Sequence, residues 1–394
     1  MKVIIVALGS LGDNSPLVAI GAELRKRGCT VTVLGCDWYK DLIVNAGLTY
    51  HSILSSGEAE KISKEPYLWD REKSFSVMVN RMYAPTTWPV FDFIKELYEP
   101  GKTIVVSSLF IFGARLAREA LGVPLVTIRM SAFAFWNVDK KQKAAFNCVL
   151  NPVLNELCKK INICPDQGSL YHWMYSPDKV IGLFPDWFEN YKSKWPSHIK
   201  LTHFQFVDEK KEDSLPAELK EFITTGEPSI VFTPGSVMRN AKDFFTTSLD
   251  ACLSLGMRGI FLSPYRDQIP PDLPSSFRHF DFIPLDTLLP YSSGIVYHGG
   301  IGTCAQGLRA GIPHLVTPMN LEQSDNAERL KKLGVGDSIN RNDYNKTTVS
   351  NKLEKLLTSK IVHECCLKFK GKFDNYQGIT DTCDEIMSVF KSEN

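Results

Sequence analysis

A histidine, a cluster of glycines and a threonine follow one another in the run Tyr297-His298-Gly299-Gly300-Ile301-Gly302-Thr303. The apolar segment before it, Ile295-Val296-Tyr297, reads as a buried strand, and 303–310 reads as the start of a helix. A strand that feeds a glycine turn and then a helix N-terminus is an anion site. No side chain obstructs a phosphate, backbone N–H groups point outward, and the helix dipole favours negative charge. His298 adds a donor at the strand's end, and Thr303 adds a hydroxyl. After Gly311-Ile312-Pro313 comes a second short strand, Leu315-Val316-Thr317, which ends at Pro318 before the polar cluster Asn320, Glu322, Gln323, Asp325 and Asn326. A cradle for a diphosphate followed by groups suited to hydroxyls suggests a nucleotide-sugar site.

These residues also carry a resemblance. His-Gly-Gly-x-Gly-Thr, Leu-x-x-Gly-x-Pro and Pro-x-x-x-Glu-Gln-x-x-Asn-Ala resemble the donor signature of the family 1 glycosyltransferases, which have the GT-B fold. The N-terminal stretch Gly9-Ser10-Leu11-Gly12-Asp13-Asn14-Ser15-Pro16 is similar to that of bacterial antibiotic, sterol and rhamnolipid glycosyltransferases. Arg278-His279-Phe280-Asp281-Phe282-Ile283-Pro284, with Ser324-Asp325-Asn326-Ala327, looks closest to the rhamnolipid rhamnosyltransferases. The resemblance implies an α/β protein with two doubly wound Rossmann-like domains facing across a cleft. It also implies inverting, metal-independent transfer of a hexosyl or deoxyhexosyl group from a UDP or dTDP sugar to a hydroxyl of a small lipophilic acceptor. A hydroxy fatty acid, a polyketide or a sterol would suit. No cofactor beyond the sugar nucleotide and no metal are expected, and no Asp-x-Asp sequence occurs.

Asp13 is the candidate base: it lies in the loop after the first strand, and the matching aspartate in glycopeptide-antibiotic glycosyltransferases is regarded as the base. An Asp here could instead cap the following helix. Ser15-Pro16 offers a better cap, with Pro at the first helical position, which would leave Asp13 free. Ser10 and Gly12 either approach the donor phosphates by backbone or form a plain turn. His298, the N–H groups from Gly300 through Gly302 to Thr303, the Thr303 hydroxyl and Ser236 are the candidates for stabilising the departing diphosphate. Ser236 matches a phosphate-contacting serine of the family, and Glu322 and Gln323 match the pair that holds the transferred sugar. Asn326 either caps a helix or contacts the donor. Phe282 aligns with an aromatic that stacks on uracil in the plant branch, or is an ordinary core residue, and Ile283 could meet the base edge by its backbone. Gln306 stands where the plant branch has a ribose-binding glutamate, which leaves thymidine donors open.

The elements that must position these groups repeat twice. Strands at 3–8, 30–34 and 48–51 alternate with helices at 16–27 and 39–46, and the rhythm resumes with a strand at 103–107, a helix at 109–121 and a strand at 125–129. A second series has strands at 229–233, 259–262 and 277–282 and a helix at 241–255. The expected division is an acceptor domain at 1–208, a charged linker at 209–228, a donor domain at 229–375, and a segment at 376–394 that the resemblance returns to the first domain. Two irregular stretches, 53–100 and 133–136, carry Trp69, Phe75, Met78, Met82, Tyr83, Trp88, Phe133, Phe135 and Trp136. Met82, Trp88, Phe133 and Trp136 are the acceptor-site candidates, with core packing as the competing assignment.

Composition narrows the classes. A chain of 394 residues at 44% hydrophobic and 23% charged suits two ordinary globular domains. A net charge of +1 provides no field to recruit nucleic acid. The ten cysteines include no C-x-x-C pair, which suits reduced thiols and a cytoplasmic protein. The apolar start at 3–8 is too short for a signal peptide and reads as a first strand. Tyr191-Lys192-Ser193-Lys194-Trp195 is either a weak contact for anionic lipid or a solvated loop. Two rival functions remain: a sugar-nucleotide epimerase of the same fold, which would need extra carboxylates at the donor site, and a non-catalytic donor-binding subunit of a partner glycosyltransferase. A nicotinamide dehydrogenase fits poorly, because the first loop reads Gly9-x-x-Gly12 rather than G-x-G-x-x-G.

Overall fold

The structure, a computed structural model, describes residues 1–391 apart from 69, 71, 137, 164–168, 190–194, 207–214, 236–237 and 375. Expectations for Trp69, Ser236, residues 191–194 and the charged part of the linker therefore lie outside the described residues. The chain divides into two compact units, Met1–Val207 with Gln377–Asn394, and Asp208–Tyr376.

The first unit holds a parallel sheet of β1 (Lys2–Ala7), β2 (Thr30–Cys36), β3 (Thr49–Leu54), β4 (Thr103–Ser108), β5 (Leu125–Arg129), β6 (Lys179–Gly182) and β7 (Ile199–Leu201), in the order 3-2-1-4-5-6-7. β1 is apolar at every position from Val3 to Ala7, and all are buried, as a central parallel strand covered on both faces requires. Sequence order reverses between β1 and β4, so the loops after these two strands flank the crevice where doubly wound sheets bind ligands. The last helix, Gly378–Lys391, packs here: Cys383, Ile386 and Val389 join the core of Val3, Ile5, Leu17 and Ile20. Thr382 and Thr202 hydroxyls meet at 2.8 Å, and Lys179 pairs with Glu385 at 2.6 Å.

The second unit repeats the plan with β8 (Ser229–Thr233), β9 (Gly259–Leu262), β10 (Phe277–Phe280), β11 (Ser292–Tyr297), β12 (His314–Val316) and β13 (Gly336–Ser338). The order is 10-9-8-11-12-13, all parallel, with the reversal between β8 and β11. Strands β5, β8 and β9 have the bounds read from the sequence, because each is a short apolar run between turn formers.

Several elements differ from expectation. The first helix spans Leu11–Lys26, not 16–27, with Ser10 as its N-cap, Asp13 three residues on, and Pro16 inside its second turn. Two bonds onto the Asp13 carboxylate outcompete the weaker start at Ser15-Pro16. The segment at 209–228 is not all linker. Helix Ala217–Thr224 buries Leu219 and Phe222, and the Arg258 guanidinium stacks on Phe222 at 3.9 Å while donating to the Phe222 carbonyl. β10 stops at Phe280, two residues early, so Phe282 leaves the sheet. The irregular stretch after β5 leads into a long helix, Lys140–Lys160, that the sequence reading did not separate.

Candidate active site

The reversal of strand order in the second unit brings two loops together. Thr233 pairs with Tyr297, so the chain leaving β8 through Gly235 and the chain leaving β11 through His298 emerge side by side. Gly235 has φ +107°, and a methyl added there would stand 3.2 Å from the His298 ring. A methyl at Gly300 would lie 2.6 Å from His298 Nε2. The imidazole is thus held in a slot that only glycines leave open. Burial pushes His298 down to about 4, so the ring is neutral near pH 7. Among the described residues, its buried Nδ1 has no hydrogen-bond partner. Gly300 then N-caps helix Ile301–Ala310, and no side chain caps this end. Gly302 faces open space, and Thr303 is half-buried in the first turn. A neutral imidazole with an unpaired nitrogen beside an uncapped helix N-terminus is suited to an anion.

Around this loop, Gln306 Oε1 is buried without a hydrogen-bond partner among the described residues. Phe282 is 62% exposed while Ile283 is 4% exposed, so Phe282 is not a core side chain and Ile283 is. Glu322 is half-buried in the first turn of helix Leu321–Lys332, capped by Asn320, whose Oδ1 accepts the Gln323 N–H at 2.9 Å. Gln323 is buried, and its Oε1 accepts the Met319 N–H at 2.8 Å. Asn326, fully buried, donates to the Gly299 carbonyl at 3.0 Å, so it holds the turn and does not cap a helix.

In the first unit, the expectation that Asp13 is free of the helix end is corrected. Its Oδ2 accepts both the Ser10 N–H and the Ser10 hydroxyl at 2.8 Å, closing the first turn of helix Leu11–Lys26. Desolvation nevertheless raises its pKa, against the lowering effect of the Ser10 bonds. Ser10 and Gly12 are exposed. Across the crevice, the chain leaving β4 presents Phe110, the centre of an aromatic cluster. Phe75 contacts Phe110 at 4.9 Å and Phe146 at 5.0 Å, Tyr83 contacts Phe110 at 5.9 Å, and Phe146 stacks on Tyr171 at 4.8 Å. Phe75, Tyr83, Phe110 and Phe146 remain half-exposed, and Tyr83 ends the π-helical turn Val79–Tyr83.

Of the four expected acceptor residues, half-buried Phe133 reaches this cluster, 6.5 Å from Phe146. Met82 is corrected to the interior at 4% exposure, on the inner side of the π-helical turn. Trp88 and Trp136 are half-buried elsewhere, against Phe91 and against His172 and Tyr175. Phe110, Phe146 and Tyr171 were missed. Phe110 alone carried a local signal, as an aromatic placed directly after a strand.

Residues 265–372 match the family model described as erythromycin biosynthesis protein CIII-like, C-terminal domain. The chain is 23% identical to the sterol 3-beta-glucosyltransferase of Vanderwaltozyma polyspora, over 97% of this chain and 34% of that protein. It is 24% identical to the O-mycaminosyltylonolide 6-deoxyallosyltransferase of Streptomyces fradiae, over 85% and 84%. Among solved structures, the glycotransferase of kitacinnamycin superposes with a TM-score of 0.77 at 17% identity, covering 99% of each chain. Glycosyltransferase VinC in complex with dTDP gives 0.74 at 20%, covering all of both. The fold is the GT-B fold of these glycosyltransferase structures. This GT-B chain spans about one third of the length of the sterol glucosyltransferases it matches. Among its described residues, no helix is long and apolar enough to cross a membrane.

Proposed function

We propose that the chain transfers a hexosyl or deoxyhexosyl group from a nucleoside diphosphate to a hydroxyl of a lipophilic acceptor, with inversion and without a metal ion. The observation that carries this reading is the unpaired, buried Nδ1 of neutral His298 beside the uncapped helix start at Gly300. A diphosphate supplies the partner that both lack. Asp13 takes the acceptor proton late, as the new C–O bond acidifies the hydroxyl. The acceptor oxygen bonds to the anomeric carbon as the bond from that carbon to the diphosphate oxygen breaks. The electron pair leaves on the diphosphate, where the N–H groups from Gly300 to Thr303 and the His298 ring, with its hydrogen on Nδ1, receive the charge. Gln306 Oε1 offers an acceptor for a ribose hydroxyl, and exposed Phe282 offers a face for the base. Glu322 and the amide NH2 of Gln323 are the sugar-holding groups, the Gln323 oxygen being engaged by Met319. The half-exposed rings of Phe75, Tyr83, Phe110 and Phe146 suit an apolar acceptor such as a sterol or polyketide.

A thermal-shift screen with UDP, dTDP and their sugars tests the donor half. At about 100-fold saturation, binding adds roughly 2.7 kcal/mol to stability, an upward shift of several degrees. Stabilisation by one of the two diphosphates is the expected result. The absence of a shift with any of them would remove the donor assignment and the reaction with it.

A further inference from the structure

Beneath the glycine turn lies a chain of buried polar groups that touches no candidate ligand position. Asn326 Nδ2 and Cys304 Sγ both point at the Gly299 carbonyl, at 3.0 and 3.6 Å. Cys304 Sγ receives the Tyr297 hydroxyl at 3.0 Å, and that hydroxyl also meets His314 Nδ1 at 3.0 Å. Asn326, Cys304, Tyr297 and His314 are all completely buried.

The protonation states give the chain a direction. Burial pushes the Cys304 thiol up to about 12 and His314 down to about 3, so the thiol keeps its hydrogen and the imidazole is neutral. His314 Nδ1–H then donates to the Tyr297 oxygen, the Tyr297 hydroxyl to Cys304 sulfur, and the Cys304 thiol to the Gly299 carbonyl. This assignment leaves His314 Nε2 as a bare acceptor, consistent with its having no partner among the described residues. The backbone at this point admits no other residue. Gly299 has φ +96°, and a methyl there would stand 2.8 Å from Val316 Cγ1 and 3.0 Å from the Gln323 carbonyl.

We propose that Asn326 and Cys304 are positioning residues for the diphosphate: together they turn the Gly299 carbonyl inward and so aim the Gly300 N–H outward at the ligand. The peptide unit is planar and trans, so its C=O and N–H point in opposite directions, and fixing one fixes the other. A donor held before the ligand arrives needs no reorganisation on binding. This inference rests on the donor reading above, and it adds that part of the diphosphate affinity comes from a side chain 27 residues away.

The test compares UDP and dTDP with uridine and thymidine, by calorimetry or NMR titration, on the full chain and on Asn326→Leu, Cys304→Ala and Cys304→Ser. Asn326→Leu should weaken the diphosphate on the order of 10- to 100-fold, by analogy with the loss when the partner that orients a metal ligand is removed. The nucleoside without phosphates should change less than about twofold, since the peptide unit being aimed meets phosphate only. Cys304→Ser, which keeps a donor, should recover most of what Cys304→Ala loses. A loss of nucleoside and diphosphate affinity in parallel would mean a general packing role and overturn the proposal, as would unchanged diphosphate affinity in both Asn326→Leu and Cys304→Ala. If Asn326→Leu does not fold, the Ala and Ser variants of Cys304 decide the question. Failure of the unsubstituted chain to bind either diphosphate would instead mark failure of the donor reading itself.

Discussion

Gly300→Ala isolates the His298 slot more cleanly than removal of the imidazole. Gly300 has φ −62° and ψ 139°, a conformation alanine adopts freely, so the backbone bears no strain. The added methyl would stand 2.6 Å from His298 Nε2, where ordinary contact begins near 3.4 Å, so the ring must retreat by about 0.8 Å. The overpacking cost of that shift is roughly 1–3 kcal/mol. A misplacement of about 1 Å at a reacting group costs on the order of 100-fold in rate, or about 2.7 kcal/mol. His298→Ala should cost a similar amount, about 3 kcal/mol, as one charge-stabilising donor is lost. Both act through one ring, so Gly300→Ala/His298→Ala should be no slower than His298→Ala alone. The assay is release of nucleoside diphosphate from the donor identified by binding. A Gly300→Ala rate within about threefold of the unsubstituted chain, or losses that multiply in the double variant, would refute the argument.

Two other outcomes are expected. Asp13→Asn should lower turnover by about 10²–10⁴-fold while leaving diphosphate affinity unchanged, since a positioned base contributes that much. The carboxylate must be ionised to accept a proton and burial raises its pKa, so kcat/KM should climb with pH through a value above 3.8, a limb that the Asn variant lacks. The second outcome concerns acid stability. His314 and His298 are held near 3 and 4, below the ordinary 6.5, so their contribution is complete above pH 6.5. As pH falls through that window the unfolded chain takes up protons that the folded one refuses, and stability declines by up to about 1.4 kcal/mol per pH unit for each histidine. Urea titrations at several pH values should therefore show a shallower acid slope for His314→Gln; an unchanged slope would exclude His314 as a source.

How much of this was legible from the chain differs by element. Short apolar runs between turn formers marked β5, β8 and β9 to the residue, because burial on both faces demands little more than that pattern. The helix beginning at Leu11 was misplaced because two cap sequences lie five residues apart, and the choice between them depends on which carboxylate closes the turn. The charge run at 208–213 suggested a linker and obscured the helix that begins at Ala217, whose two apolar side chains needed Arg258 and a surface to pack against.

The sequence alone determined the glycine turn between β11 and its helix, the imidazole at the strand's end and the parallel α/β plan. Each of these depends on residues within a few positions of one another. The tertiary structure decided which strands are neighbours, and therefore that the loop through Gly235 closes one side of the His298 slot. It also decided that Asn326 reaches Gly299, that Phe110 meets Phe75 and Phe146, and that Met82 is interior. Those pairings join residues distant in the chain, and only the packing of whole strands and helices brings them within contact distance.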